Sequence, residues 1–270
     1  MTTSRRAPIG VFDSGVGGLT VLRAIHERLP DESTVYLGDT ARVPYGPKSP
    51  DTIRRYADEA AMFLMGRGIK ALVIACNTAT AHACSGLTER LDVPVVGVVG
   101  PGAREAADVT RSGVIGVIGT QGTIDSGVYE RAIRRHRTDA TVRSRACPLF
   151  VALAEEGWVT GEVAELTARR YLGDLLAAAI DTLVLGCTHY PLLRPLLEEI
   201  AGPDVRLVDS AEATARETAA ILDELGLAGG GETAPSREYF VTDDAERFGG
   251  TAARFLGSPI EHLERVGLDG

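Results

Sequence analysis

Lysine is nearly absent from this chain: Lys48 and Lys70 are the only two lysines among 28 basic residues, so arginine carries the positive charge. A surplus of positive charge is missing as well. The formal net charge is −9, which withholds the summed positive field of a nucleic-acid binder and predicts no direct nucleic-acid partner. Aromatic residues make up only 5%, so the core is expected to be aliphatic and closely packed. Cysteines are few: Cys76, Cys84, Cys147 and Cys187. None forms a C-x-x-C pair and no histidines stand at zinc-finger spacing, which argues against a structural zinc site. Four scattered cysteines in 270 residues also argue against a disulfide scaffold. No apolar run approaches the about 18 residues of a membrane span, and "MTTSRRAPIGVFDSG" does not look like a signal peptide. A reducing, cytoplasmic setting without a membrane partner is the expectation.

What is present is a regular alternation. Hydrophobic content is 44% and charged content 24%, ordinary for a globular protein with a sizeable core. Short apolar runs, "PIGVFD", "TVYLGD", "KALVIACN", "VPVVGVVG", "SGVIGVIGT", "DTLVLGCT" and "VRLVDS", predict strands. Between several of them lie amphipathic stretches such as "LTVLRAIHERL" and "DTIRRYADEAAMFLMGRG". In the second of these, Asp51 is a candidate cap and Gly66 or Gly68 the stop. Near-continuous apolar strands alternating with helices predict an α/β fold, a mostly parallel sheet covered on both faces. "RAIRRHR", Arg131 to Arg137, reads as a solvated helix face. "GLAGGGETAPSR", Gly226 to Arg237, reads as a linker, followed by a strand at "REYFVT" and a helix at "DDAERFGGTAARFLG".

The strands contain an internal echo. "IGVFDSG" from Ile9 resembles "IGVIGTQG" from Ile115, "ALVIACNT" from Ala71 resembles "TLVLGCTH" from Thr182, and "VPVVGVV" from Val93 resembles "DVRLVDS" from Asp204. Ordered recurrence at nearly constant spacing predicts two similar α/β domains related by pseudo-symmetry, facing each other across a cleft.

Ligands of open parallel sheets bind beyond the carboxyl ends of the strands, where Cys76 and Cys187 both fall, each ahead of small polar residues and a helix. A thiol near a helix N-terminus gains thiolate character. Cys84 and Cys147 read as packing residues. Two thiols on facing domains suit removal of a proton from one face of a carbon and delivery of another to the opposite face. "DSGVGGLT", Asp13 to Thr20, is a glycine turn whose helix amides suit an anion. Asp13 can bind an ammonium or assist a base. "DTARVPYGPKS" carries Tyr45 on a loop bordering the same cleft, and His189 is the best placed of five histidines. His26, His82, His136 and His262 read as surface or hydrogen-bonded residues.

"FDSGVGGLTVL", "GDTARVPYG", "ACNTATA" and "GCTHYPLL", in this order and spacing, resemble the glutamate racemases of the aspartate/glutamate racemase superfamily, from Ile9 to about Ser210. The resemblance implies interconversion of L- and D-glutamate without cofactor or metal, supplying D-glutamate for peptidoglycan. It implies two α/β domains, residues 1–98 plus 210–270 and residues 99–209, with the active site between them. It makes Cys76 the base for D-glutamate and Cys187 the base for L-glutamate, assisted by Asp13 and His189. Substrate would be lined by Asp13, Ser14, Tyr45, Gly46, Asn77, Thr78, Thr120, Thr188 and His189. The assisting glutamate follows a C-P-x-F-V-P-L stretch in the family. Here "CPLFVALAEEG" has Ala152 in place of that proline, and Glu155 takes the role with Glu156 as the alternative. A homodimer is implied. Some members inhibit DNA gyrase, for which these residues offer no support. Two other readings remain open from the residues themselves: a thiol hydrolase using Cys187 and His189, and an amino-acid binder without catalysis.

Overall fold

The computed structural model describes residues 4–229 and 234–268. Residues 1–3 of the N-terminal segment and 230–233 of the expected linker lie outside them. The first sheet holds β1 (Ile9–Asp13), β2 (Thr34–Gly38), β3 (Ala71–Ile74) and β4 (Val95–Gly97), with β9 (Arg237–Val241) and β10 (Glu264–Arg265) from the tail, in the order β10-β9-β2-β1-β3-β4. The second holds β5 (Val114–Gly119), β6 (Thr141–Ala146), β7 (Thr182–Gly186) and β8 (Arg206–Asp209), in the order β6-β5-β7-β8. Every pairing is parallel.

The order β2-β1-β3-β4 is repeated as β6-β5-β7-β8, and the register repeats at its centre. Ile9 pairs with Ala71 in the first sheet, and Ile115 with Thr182 in the second. Those are the positions at which the sequence echoes itself. Apolar strands bury both faces: Ile9, Val11, Ala71 and Val73 enter one core, while Phe12, Leu72 and Ile74 enter another. Val117 and Val184 likewise face one core of the second sheet, and Ile118, Leu183 and Leu185 the other. Each Val, Leu, Ile or Phe among them, fully buried, contributes roughly 1.5–3 kcal/mol.

Two local expectations need correction. Ser49, not Asp51, caps the Pro50–Gly66 helix: its hydroxyl accepts from Thr52 N–H, Pro50 fills the first helical position, and Asp51 falls in the first turn. The apolar run at "VPVVGVVG" is a strand only over Val95–Gly97, since a helix already starts at Val99. A buried helix start and a buried strand have the same composition. Strand β6, "TVRSRA", carries no apolar run because it is a largely exposed edge. In the Arg131–Arg137 run, Ile133 is buried while Arg131, Arg134 and Arg135 lie on the exposed face.

Two helices cross between the sheets. Val99–Val109 leads into the second sheet and Ser210–Glu224 returns to pack on Leu19–Arg28. They are joined by reciprocal ion pairs, Arg104–Glu217 at 2.9 Å and Arg216–Glu105 at 2.7 Å. Among the described residues no helix is long and apolar enough to cross a membrane.

Below β3, Lys70 is fully buried. Its Nζ donates to Glu32 at 2.5 Å and to the carbonyls of Arg5 at 2.8 Å and Leu227 at 2.9 Å. Glu32 also accepts from Gly229 N–H at 2.6 Å. Four separate chain segments are tied by one ammonium. Lys70→Met would leave the Glu32 charge buried without its cation, and is expected to lower unfolding free energy by about 3–5 kcal/mol in urea denaturation. Loss of less than about 1 kcal/mol would show that water relieves the carboxylate.

Candidate active site

In a sheet ordered 2-1-3-4, the crevice between β1 and β3 opens at their carboxyl ends. The molecule has two such crevices, one per sheet, and they meet. Asp13 ends β1 and Cys76 follows β3, while Thr120 follows β5 and Cys187 follows β7. A small cavity is lined by Ser14, Tyr45, Gly46, Asn77, Thr78, Thr120, Glu155, Cys187, Thr188 and His189, with Cys76 among them. Of the residues expected at the site, only Asp13 is missing from that lining, and it lies just behind it. Gly15, Val43, Pro44 and Val151 complete the wall.

The halves touch at short range. A Cβ on Gly17 would fall 2.4 Å from both His189 Nδ1 and Thr188 Oγ1, so only glycine lets this turn approach. Thr20 Oγ1 donates to the Thr188 carbonyl at 3.2 Å. On the other side, Gly122 N–H donates to the Gly46 carbonyl at 2.9 Å, fastening the Tyr45 loop to the second half. That loop is held from below by Asp39, which is fully buried and accepts from Tyr45, Arg42 and Thr242.

Cys76 is the N-cap of the Asn77–Arg90 helix, with its sulfur 3.4 Å from Ala79 N–H and 3.4 Å from the Ser14 hydroxyl. Burial, reinforced by the nearby Asp13 charge, pushes its pKa up to about 12 despite the helix amide and Ser14. It is therefore a neutral thiol at pH 7, opposite to the thiolate character its helix N-terminus suggests. Asp13 is itself buried. Burial raises its pKa, opposed by the His189 charge and by the amides of Gly15, Gly18 and Ser14. Its Oδ2 accepts from Gly15 N–H at 2.8 Å and its Oδ1 has no partner among the described residues.

Cys187 is equipped differently. Its sulfur lies 3.7 Å from His189 Nδ1, and His189 Nε2 is 2.9 Å from Glu155 Oε1. Burial lowers the His189 pKa, but hydrogen bonds to Cys187 and Glu155 and their charges prevail and raise it to about 10. The ring is then an imidazolium with a donor at each nitrogen. The hydrogen bond from His189 holds Glu155 below the usual carboxylate range. Glu156 is absent from this cavity's lining, and Glu155 is the glutamate on His189. Phe255, from the tail helix Ala245–Leu256, packs edge-on against the His189 ring with centroids 5.3 Å apart.

Polar side chains complete the cavity. Thr78, Thr120 and Thr123 form a hydroxyl triangle with sides of 2.8, 3.2 and 3.1 Å. Asn77 Oδ1 accepts from Tyr129 at 2.7 Å, and its buried Nδ2 has no partner among the described residues. Thr123 and Tyr129 escaped sequence reading. Thr123 had one weak signal, its place one helical turn after Thr120, and Tyr129 had none. Cys84 and Cys147 lie outside the lining. His26 is buried against Thr34 Oγ1 at 2.9 Å, His82 lies 3.3 Å from the Gly122 carbonyl, and His136 and His262 are exposed. Among the described residues no three His, Cys, Asp or Glu side chains converge as metal ligands would.

Against known proteins, the profile of the Asp/Glu/Hydantoin racemase family matches residues 9–218. A glutamate racemase of Geobacter metallireducens is 56% identical over 97% of both chains. The crystal structure of glutamate racemase isoform RacE1 from Bacillus anthracis superposes with a TM-score of 0.94 at 42% identity, covering 98% of each chain. That of glutamate racemase from Francisella tularensis, in complex with D-glutamate, gives a TM-score of 0.92 at 38% identity over 98% of this chain and 99% of that one.

The His189 assignment is open to direct measurement. Ring resonances followed by NMR are expected to titrate near pH 10, and Glu155→Gln should move the midpoint to lower pH by removing an anion and weakening a hydrogen bond. A midpoint near 6.5 in both proteins would remove the imidazolium from the site.

Proposed function

The chain belongs to the Asp/Glu/Hydantoin racemase family, and on that premise we propose that it interconverts L- and D-glutamate with two thiols acting on opposite faces of the α-carbon. One observation carries this reading. Cys76 and Cys187 leave corresponding strands of two sheets with the same strand order, and both line one cavity.

The α-proton of an amino acid is very weakly acidic, so the carbanionic transition state needs strong help. Removal of that proton from L-glutamate falls to Cys187, whose sulfur lies 3.7 Å from the Nδ1 of the His189 imidazolium. Cys76, still protonated, donates to the opposite face. In the reverse direction the roles exchange, and Asp13 with Ser14 assists proton removal from Cys76. Hydroxyls of Thr78, Thr120 and Thr188 and the amide of Asn77 bind the substrate carboxylates, where fixed dipoles in a closed site act most strongly. Specificity for glutamate over aspartate rests on the named relatives. Supply of D-glutamate for peptidoglycan in the cytoplasm, without a cofactor, is the corresponding biological role.

The line Cys187–His189–Glu155 also has the layout of a thiol hydrolase, nucleophile, base and orienting carboxylate. Such an enzyme has no use for a second thiol on the facing wall, and Cys76 tips the balance toward racemization.

Incubation of each enantiomer in deuterium oxide tests the proposal. The wild type should wash deuterium into both products, and Cys76→Ser and Cys187→Ser should each lower kcat/KM by at least about 100-fold. Full racemization by Cys76→Ser would sink the two-thiol assignment, and an acyl group trapped on Cys187 would favour the hydrolase.

A further inference from the structure

Tyr129 has no place in the proton transfers, yet it occupies a central position. It lies on the Val128–His136 helix beside the second sheet and is 2% exposed. Its hydroxyl reaches across to the first half and donates to Asn77 Oδ1 at 2.7 Å, on the cavity wall. The phenol also lies against both crossing helices. A Cβ on Gly102, in the outgoing helix, would fall 3.6 Å from the Tyr129 hydroxyl and 3.1 Å from Cβ of Ser210, which starts the returning one. A Cβ on Gly186, at the end of β7, would stand 3.0 Å from Tyr129 Cε2. Small residues thus leave a slot for this ring where the two halves join.

A carboxamide has an accepting oxygen and a donating nitrogen, and its function depends on which one faces the ligand. Burial holds the Tyr129 phenol neutral, so it keeps its single proton and donates it to Asn77. Oδ1 is then turned to Tyr129 and Nδ2 away from it. Nδ2 is buried and finds no acceptor among the described residues, although Asn77 is only 3% exposed. A buried N–H without an acceptor is unfavourable, and a carboxylate is the acceptor an amino-acid substrate brings.

We propose that Tyr129 is a positioning residue that fixes the Asn77 carboxamide with its NH2 toward a substrate carboxylate, and does so only when the two halves are together. The second clause follows from the bond itself, since its partners sit in different halves. Separation of the halves would release the amide to flip, presenting an oxygen that repels the carboxylate. The proposal rests on the racemase reading.

The test compares wild type, Tyr129→Phe, Asn77→Ala and the double variant with both enantiomers of glutamate. It is paired with side-chain 15N–1H NMR of the ligand-free proteins, in which the Asn77 signal is assigned by its loss in Asn77→Ala. Tyr129→Phe removes one oxygen and keeps the ring. It should raise KM about tenfold while kcat stays within about threefold, as loss of ground-state binding does. In the Asn77→Ala background the same change should have no further effect on KM. The Asn77 amide signals of the ligand-free Tyr129→Phe protein should shift. Unchanged KM with unchanged signals, or an equal loss in both backgrounds, overturns the proposal. A wild type without racemization sinks the racemase reading instead, and the Asn77 signals then decide the Tyr129 link by themselves.

Discussion

Everything at the site depends on one close approach: the backbone of Gly17 against Thr188 and His189, where even a methyl group would collide. Each half alone is an open parallel sheet with a shallow crevice at its strand ends. Only their contact turns two crevices into one enclosed cavity, and enclosure gives burial its force. Burial opposes ionisation of Cys76, raises Asp13 and leaves the Asn77 Nδ2 without a partner among the described residues. The glycines of the first turn permit contact between halves, in addition to the tight turn that sequence alone suggests.

The backbone is nearly symmetric and the side chains are not. Cys76 and Cys187 leave corresponding strands, yet one is served by Ser14 and Asp13 and the other by His189 and Glu155. A reaction that takes a proton from one face and returns it to the other needs one acid and one base at any moment. Identical surroundings would give both sulfurs the same state. The unequal partners make the resting arrangement directional, a protonated Cys76 facing a Cys187 paired with an imidazolium. The tail reaches the Cys187 side through Phe255, which packs edge-on against the His189 ring.

Much of this was legible in the residues. Buried parallel strands advertise themselves as apolar runs, and the echo between Ala71 and Thr182 picked out the two cysteines that the cavity brings together. The exposed edge strand Thr141–Ala146 was not legible, because half its side chains meet water and its composition follows solvent. Ser49 was overlooked as a cap because Asp51 is an equally good candidate, and only the hydrogen bond to Thr52 separates them. The choice between Glu155 and Glu156 was undecidable in sequence, since adjacent helical residues point about 100° apart and nothing local says which direction faces His189.

By itself, the sequence determined the α/β class, the strand-end placement of both thiols, the glycine turn beside Asp13 and the polar residues following each cysteine. These are local properties, set by periodicity and by which residues tolerate a turn. Tertiary structure alone decided the protonation of Cys76, the pairing of His189 with Glu155, the Thr78–Thr120–Thr123 triangle and the hold of Tyr129 on Asn77. Each of these joins residues distant in the chain or depends on removal of water, and neither distance nor water is written in a local pattern.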